Sequence, residues 1–402
     1  NNLTLDGGIV DVNKGVAITI ENIDGKGAIT NAGSVTIEKG SIEGPITFEK
    51  GGVKADNMVT VGKDGKTTLT GGVAGSGTID KLAIADGKTT ITNAKLSGHE
   101  GRALWNNGTL TINGGSFEGN KANVAGAIYN AAGAKLTVDG VTFANNSSAK
   151  AGAINNYEGT VTITNSTFKS NDAGKSMGGA VTNTSGSASE KSAITIKGST
   201  FEGNTAGNGG AVWNGSNGKV EITDSTFKGN TALAEGGLGQ GGAITNANAM
   251  TITGGSFANN TANYSGGAIY NGAHAAPGKA SLTIDGTTFT GNSVMADFST
   301  TPNDNIAGGA IFNDTNAKLD VKNATFTDNT SSLKGGAIFN RDGEVTITNS
   351  TFKGNSVPKS AGGAVLNESG NTGILGTITI TGSTFEGNTA GNGGAVWNGS
   401  NG

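Results

Sequence analysis

The sequence has no cysteine and contains only 4 prolines, 2 histidines and two arginines, Arg102 and Arg341, among its 402 residues. The lack of cysteine excludes disulfide bridges and thiolate metal sites. The scarcity of arginine is unlike a nucleic-acid-binding protein, where arginine forks grip the phosphates. No run approaches the roughly 20 apolar residues of a membrane-spanning helix, and the first residues show no signal-peptide features. We expect no nucleic acid partner, no metal and no cofactor.

Glycine, in contrast, is abundant at 71 residues, while the formal net charge is only −4. Glycine and asparagine supply the positive φ angles that tight turns require. Short alternations of threonine with aliphatic residues, as at 109–112, have the two-residue period of a β-strand. A hydrophobic content of 34% is low for a globule of this size but sufficient for the narrow interior of a solenoid. The composition therefore predicts many short strands joined by tight turns.

A phrase of three parts recurs along the chain: Gly-Gly-Ala-Ile/Val-x-Asn, then an alternating strand, then Ser/Thr-Thr-Phe-x-x-Asn. Its phenylalanines, spaced 25 to 37 residues apart, are Phe117, Phe143, Phe168, Phe201, Phe227, Phe257, Phe289, Phe326, Phe352 and Phe385. A period of this length indicates a solenoid, in which each coil buries its apolar face against the next. The preferred hand of parallel crossovers favours a right-handed coil. The sequence predicts an all-β, right-handed parallel β-helix with about three short strands per coil.

Within this fold the recurring phenylalanines are expected to stack inside the solenoid, and the asparagines that end both motifs are expected to form ladders at the corners. Residues 1–100 lack the Phe-x-x-Asn motif, and we interpret them as irregular N-terminal coils of the same β-helix as the regular coils of 101–402. Residues 152–218 are repeated without gaps as 336–402. The first copy continues beyond Gly218, so we expect the coil that reaches Gly402 to be cut mid-coil from a longer protein.

The pairing of GGA(I/V) with FxxN, repeated many times over 101–402, resembles the passenger domains of the chlamydial polymorphic membrane proteins and similar autotransporter adhesins. The chain departs from the chlamydial proteins in having no cysteine. The resemblance implies a non-catalytic β-helix on the bacterial cell surface that binds a glycan or protein of host or neighbouring cells. It also implies secretion through the outer membrane, with anchoring by a C-terminal barrel that is absent from this chain.

The variable position x of the first motif is the best candidate for a binding surface. Alternation places the preceding Ile or Val inside the solenoid, so the residue at x points outward. The aromatic residues at this position, including every tryptophan of the chain, are Trp105, Tyr129, Trp213, Tyr270, Phe312, Phe339 and Trp397. An exposed aromatic column on a rigid sheet is suited to stacking on sugar rings or to receiving apolar groups of a partner. The alternative is that the rings only shield the glycine-rich sheet.

Insertions at the corners provide a second candidate surface, because loops of repeat proteins often carry recognition. They lie at 184–192, 231–240, 272–280, 294–307 and 368–376. One of them contains the stretch DFSTTPND at 297–304, whose spacing matches no calcium loop.

Two other functions remain open at this point. A self-assembling surface filament is possible in principle because β-helix ends present unpaired strand edges. A polysaccharide lyase or glycosidase would require carboxylates clustered in one groove. The acidic residues are instead scattered, and equivalent positions carry Glu118, Ala144 or Lys169. We therefore expect no enzymatic activity.

Overall fold

The computed structural model describes residues 2–50, 56–186, 192–233, 238–272, 280–295, 306–369 and 375–399. These residues form strands, turns and bends, and no helix occurs among them. None of the described residues, accordingly, forms a helix of the length and apolarity that spanning a membrane requires.

The largest sheet, here called the first sheet, contains the alternating threonine strands and the phenylalanine strands. Its strands are Asn2–Val12, Asn22–Asn31, Gly40–Phe48, Ser76–Ala85, Lys88–Ser97, Thr109–Glu118, Lys135–Asp139, Thr142–Ala144, Thr160–Thr164, Thr167–Lys169, Ser192–Lys197, Thr200–Glu202, Gly218–Thr223, Thr226–Lys228, Ala249–Thr253, Ser256–Ala258, Ser281–Asp285, Thr288–Thr290, Lys318–Lys322, Thr325–Thr327, Glu344–Thr348, Thr351–Lys353, Thr377–Thr381 and Thr384–Glu386.

The second sheet carries the GGA(I/V)xN motif. Its strands are Ala17–Ile20, Ser34–Ile37, Val59–Val61, Thr67–Thr70, Leu104–Asn106, Ile128–Asn130, Ile154–Tyr157, Val181–Thr184, Val212–Asn214, Ile244–Asn246, Ile269–Asn271, Ile311–Asn313, Ile338–Arg341, Val365–Glu368 and Val396–Asn398.

Shorter strands follow the phenylalanine strands. Those of the third sheet are Thr205–Ala206, Thr231–Ala232, Thr261–Ala262, Ser293–Val294, Thr330–Ser331, Ser356–Ala361 and Thr389–Asn392, and Lys121–Ala122 pairs separately with Ser147–Ser148. From residue 104 onward each strand pairs in parallel with its equivalent one coil later, as Phe143 does with Phe168. The prediction of a parallel β-helix is confirmed.

The N-terminal part differs from the simple stacking that the alternating pattern predicts. The strands Thr67–Thr70 and Ser76–Ala85 run antiparallel to their neighbours in the second and first sheets, respectively. The chain therefore reverses direction here before the parallel stacking resumes at Thr109–Glu118, which pairs in parallel with Lys88–Ser97. Alternation alone could not reveal this reversal, because side chains alternate between the faces in either strand direction. The boundary drawn at residue 100 stays a prediction.

The phenylalanine ladder is the centre of the core. Successive rings from Phe117 to Phe385 have centroids 4.7–5.1 Å apart and planes inclined by only 2–13°. This separation follows the distance between parallel strands, so the backbone pairing itself fixes the stacking. The rings belong to one continuous apolar cluster that extends from Leu5 to Val365.

Two asparagine ladders run along the corners. In each, the side-chain Nδ2 of one coil donates to Oδ1 of the next, at 2.7–2.9 Å from Asn106 to Asn398 and at 2.9–3.0 Å from Asn120 to Asn388. In the second ladder Nδ2 also donates to the phenylalanine carbonyl of the preceding coil, as Asn146 does to Phe117 at 2.9 Å. Both ladders are therefore scaffold.

Candidate functional site

The residues at position x form a single column on the second sheet. Strand pairing places Trp105 opposite Tyr129, and the same register continues to Trp397. From Leu104 to Val365, the residue that precedes position x in each strand lies in the main core, as Ile128 and Val212 do. The predicted direction of the column, away from the core, is therefore correct.

The expected exposure of this column is wrong for three of its aromatic residues. Tyr270, Phe312 and Phe339 are 1%, 0% and 1% exposed. They form a second apolar cluster with Ala307, Ala361 and Leu366, and the partly buried Trp397 packs against it. These rings do not offer a face to a ligand in this conformation.

The corner that precedes each strand explains this burial. The first glycine of the motif has a positive φ, 70° at Gly362, and a Cβ added there would lie 2.6 Å from Cβ of Leu366. In each coil the segment before the first glycine lies along the same column. In the coil of Gly241, for example, Thr245 Oγ1 donates to the carbonyl of Gln240 at 2.8 Å. The chain thus turns back over its own position x, and alternation within the strand does not predict that cover.

A polar cluster contacts two of the buried rings, Tyr270 and Phe312. The Tyr270 hydroxyl donates to Oδ2 of Asp314. Oδ1 of Asp314 accepts from Nε and Nη2 of Arg341 at 2.9 and 2.6 Å, and the guanidinium carbon lies 5.2 Å from the centroid of Phe312. Burial, reinforced by the negative charge of Asp314, raises the pKa of Tyr270 well above its ordinary value. The cluster links three successive coils and has the character of an internal brace.

The other four aromatic residues, Trp105, Tyr129, Trp213 and Trp397, are half-buried. Two of the indoles lie over a glycine two residues later. A Cβ added to Gly215 would be 2.7 Å from the Trp213 ring, and one added to Gly399 would be 2.5 Å from the Trp397 ring. Glycine at these positions therefore lets the indole lie flat along the adjoining corner.

Trp105 and Tyr129 form the remaining aromatic pair, with ring centroids 5.5 Å apart. The Arg102 guanidinium carbon lies 4.9 Å from the Trp105 centroid and 5.0 Å from the Tyr129 centroid, which is cation–π geometry. Burial raises the pKa of Tyr129, and the positive charge of Arg102 partly offsets this rise. Sequence reasoning missed Arg102 as a candidate, although the first copy of the motif reads GRALWN where the regular copies have glycine before alanine.

The corner insertions are only partly described. Residues 187–191, 234–237, 273–279, 296–305 and 370–374, including the DFSTTPND stretch, lie outside the described residues. Among the residues that are described, no group of three His, Asp or Glu side chains is arranged to hold a metal ion.

Part of the repeat is similar to a repeat of known proteins. The model of the Chlamydia polymorphic membrane protein repeat matches residues 198–215, 323–341 and 382–399. These three segments are similar to the polymorphic membrane protein repeat. Each matched segment spans a phenylalanine strand, the glycine corner and position x, so the three segments include Trp213, Phe339 and Trp397 in turn. The resemblance drawn from GGA(I/V) and FxxN is thereby confirmed.

Other comparisons are distant. No curated protein matches the chain. Two solved structures of PfbA, a surface adhesin of Streptococcus pneumoniae, are similar at 12% and 11% identity, with TM-scores of 0.36 and 0.35. The alignments cover 99% and 96% of this chain and 91% and 82% of the respective PfbA chains.

Proposed function

We propose that this chain is a non-catalytic segment of a cell-surface adhesin, and that its half-buried aromatic residues contact a glycan or protein on host or neighbouring cells. The observation that carries the proposal is that three segments similar to the polymorphic membrane protein repeat lie on one continuous β-helix. A rigid array of stacked coils holds side chains of successive repeats at fixed spacing, as an extended recognition surface requires. In the full-length protein we place the segment outside the cell, anchored at the outer membrane.

The charged side chains that follow the phenylalanines fit a binding surface better than a catalytic one. In three successive coils the residues after the phenylalanines alternate in charge: Glu202 Oε2 lies 3.9 Å from Lys169 Nζ, and Glu202 Oε1 lies 3.6 Å from Lys228 Nζ. These exposed pairs neutralise one another along the sheet. A glycosidase mechanism instead needs two carboxylates facing one sugar bond.

Of the aromatic column, we assign contact with the ligand to Trp105, Tyr129, Trp213 and Trp397. Tyr270, Phe312 and Phe339, which are buried, support the column from within. Aromatic side chains combine a large apolar area with few rotatable bonds, so they contribute contact at low entropic cost.

The proposal is tested by replacing Trp213 and Trp397 together with alanine and measuring binding to a glycan array and to cultured host cells. We expect affinity to fall about thirtyfold, because each of the two rings contributes roughly 1 kcal/mol of stacking. Gly215→Ala should weaken binding in the same direction, since the new methyl group displaces the Trp213 indole while leaving it in the chain.

Phe312→Leu is the matched control, because it changes the same column at a position with no exposed surface. Its binding should equal that of the unaltered protein. If the tryptophan double variant binds glycans and cells as well as Phe312→Leu does, the aromatic residues are not the contact surface.

A further inference from the structure

Arg102 stands in a column where the stacking of the coils otherwise requires glycine. The equivalent residues of the next two coils are Gly126 and Gly152. A Cβ added to Gly126 would lie 2.4 Å from the Gly152 carbonyl oxygen, and one added to Gly152 would lie 1.9 Å from that of Gly179. Neither position has room for a side chain, so an arginine in this column must alter the packing around it.

The backbone hydrogen bonds between the coils show how the packing around Arg102 is altered. In the regular coils the second glycine and the alanine both donate their backbone N–H to the next coil, as Gly152 does to Gly178 and Ala153 does to Ala180. Within the described part of the chain, Arg102 and Ala103 make no such bond, and pairing with the next coil resumes only at Leu104. The two coils are therefore separated at this corner.

A cleft of about 480 Å³ lies at the separated corner. Its walls are Asp56, Glu100, Gly101, Arg102, Lys121, Ala122 and Asn123. One side is held by the backbone, because Gly101 donates to the Lys121 carbonyl at 2.7 Å and Lys121 donates to the His99 carbonyl at 2.8 Å. The cleft is thus built into the β-helix rather than into a corner insertion.

The guanidinium of Arg102 keeps its hydrogen-bonding capacity. It is positioned by the Trp105 and Tyr129 rings, and among the described residues it makes no ion pair or hydrogen bond. Its Nε is buried and has no hydrogen-bond partner. This is not the case for its two terminal nitrogens. An arginine fixed by aromatic rings is preorganised to bind a carboxylate through two parallel hydrogen bonds.

We propose that this cleft binds a carboxylate-bearing sugar unit through Arg102, an inference that rests on the proposed adhesive function and names its ligand class. The terminal nitrogens of Arg102 hold the carboxylate, and Lys121 adds a second positive charge. Glu100 and Asp56 disfavour an anion without hydroxyl groups, such as sulfate, but they accept hydrogen bonds from sugar hydroxyls. Besides contacting the ligand themselves, Trp105 and Tyr129 position the guanidinium.

The test compares acidic with neutral sugars by calorimetry. The acidic probes are a tetrasaccharide alternating glucuronic acid with N-acetylglucosamine and 3′-sialyllactose, and their neutral counterparts are the N-acetylglucosamine tetrasaccharide and lactose. We expect at least one acidic probe to bind about tenfold tighter than its counterpart, with the advantage shrinking as salt is raised.

Arg102→Gly is the decisive variant, because it restores the residue that the repeat has at this position and should close the cleft without harming the fold. It should lose the acidic preference entirely. Arg102→Lys should lose most of it, since lysine keeps the charge but not the fork. Lys135→Gln, which removes the same charge from an exposed site of the neighbouring coil, should bind as the unaltered protein does.

Equal binding of acidic and neutral sugars, no binding of either acidic probe, or an acidic preference that survives Arg102→Gly would each overturn the inference. The two proposals fail separately. A protein that adheres to cells but ignores both acidic probes loses only the cleft assignment, whereas one that binds an acidic probe yet never adheres to cells loses only the adhesive function.

Discussion

Asparagine closes both corners of each coil because its amide carries a donor and an acceptor in one rigid group. Asn230 accepts from the side chain of Asn204 at 2.9 Å and donates to Asn260 at 2.9 Å and to the Phe201 carbonyl at 3.0 Å. An aspartate could not donate, and a serine could not reach both neighbours. The repeat therefore specifies this residue through hydrogen bonding alone, which is why its structural role could be predicted from the sequence.

Tyr270 leads to a prediction about alkaline pH. Because its pKa is raised on folding, the folded state holds the phenolic proton more tightly than the unfolded state does. The resulting stabilisation is fully present below the ordinary tyrosine pKa of about 10 and is lost as the pH rises through the folded value. We expect the protein to lose stability above about pH 10, and Tyr270→Phe to remove part of that loss.

The absorbance of tyrosinate as a function of pH measures the ionisation of Tyr270 directly. The difference in tyrosinate absorbance between the unaltered protein and Tyr270→Phe should show no ionisation of Tyr270 until well above about pH 10, or until the protein unfolds. A difference curve with its midpoint near pH 10 would mean that the hydroxyl is neither buried nor held by Asp314 in solution.

At the scale of elements, the phenylalanine strands place the largest side chains in the core. Phe227 is fully buried between Phe201 and Phe257, with centroids 4.7 Å away on both sides. Phe227→Ala should destabilise the fold by about 4 kcal/mol, because it removes a stacked ring and leaves a cavity. Urea unfolding measures the effect.

Phe117→Ala is the matched control for that change, because Phe117 is equally buried but stacks on a ring, Phe143, on one side and faces Leu96 on the other, so its cost should be about 1 kcal/mol smaller. Similar shifts in the unfolding midpoint for both variants would contradict the view that stacking on both sides determines the contribution of each ring.

The strands and the inner face of each coil could be predicted because alternation and the recurring Phe and Asn report directly on side-chain direction. The cover over position x could not, since it depends on how the glycine corner folds back across the next strand. Phe312 illustrates the difference: it points away from the main core as predicted and is nevertheless buried against Ala307. Arg102 is the reverse case, because its departure from the repeat was visible in the sequence but its cleft depends on the packing of the coils.

At the scale of the whole molecule, the solenoid is nearly one-dimensional: each coil contacts mainly the coils before and after it. The ladders of Phe227 and Asn230 transmit contacts only to adjacent repeats. Binding surfaces on separate coils, such as those at Arg102 and at Trp213, should therefore act independently. An extended adhesin gains from this arrangement, because a change in one coil leaves distant coils intact.

Asn230→Ala tests this independence. The substitution leaves the Phe201 carbonyl without its side-chain donor and the Asn204 amide without its acceptor, at a local cost of about 3 kcal/mol. Amide hydrogen exchange should accelerate in the coils around residues 201–232 and 257–262, while the coils near Phe117 and Asn355 keep their protection. Asn113→Ala, on an exposed edge, should change neither region. If protection is lost uniformly along the chain, the coils unfold as one cooperative unit, and a ligand bound at one corner would then stabilise every other corner as well.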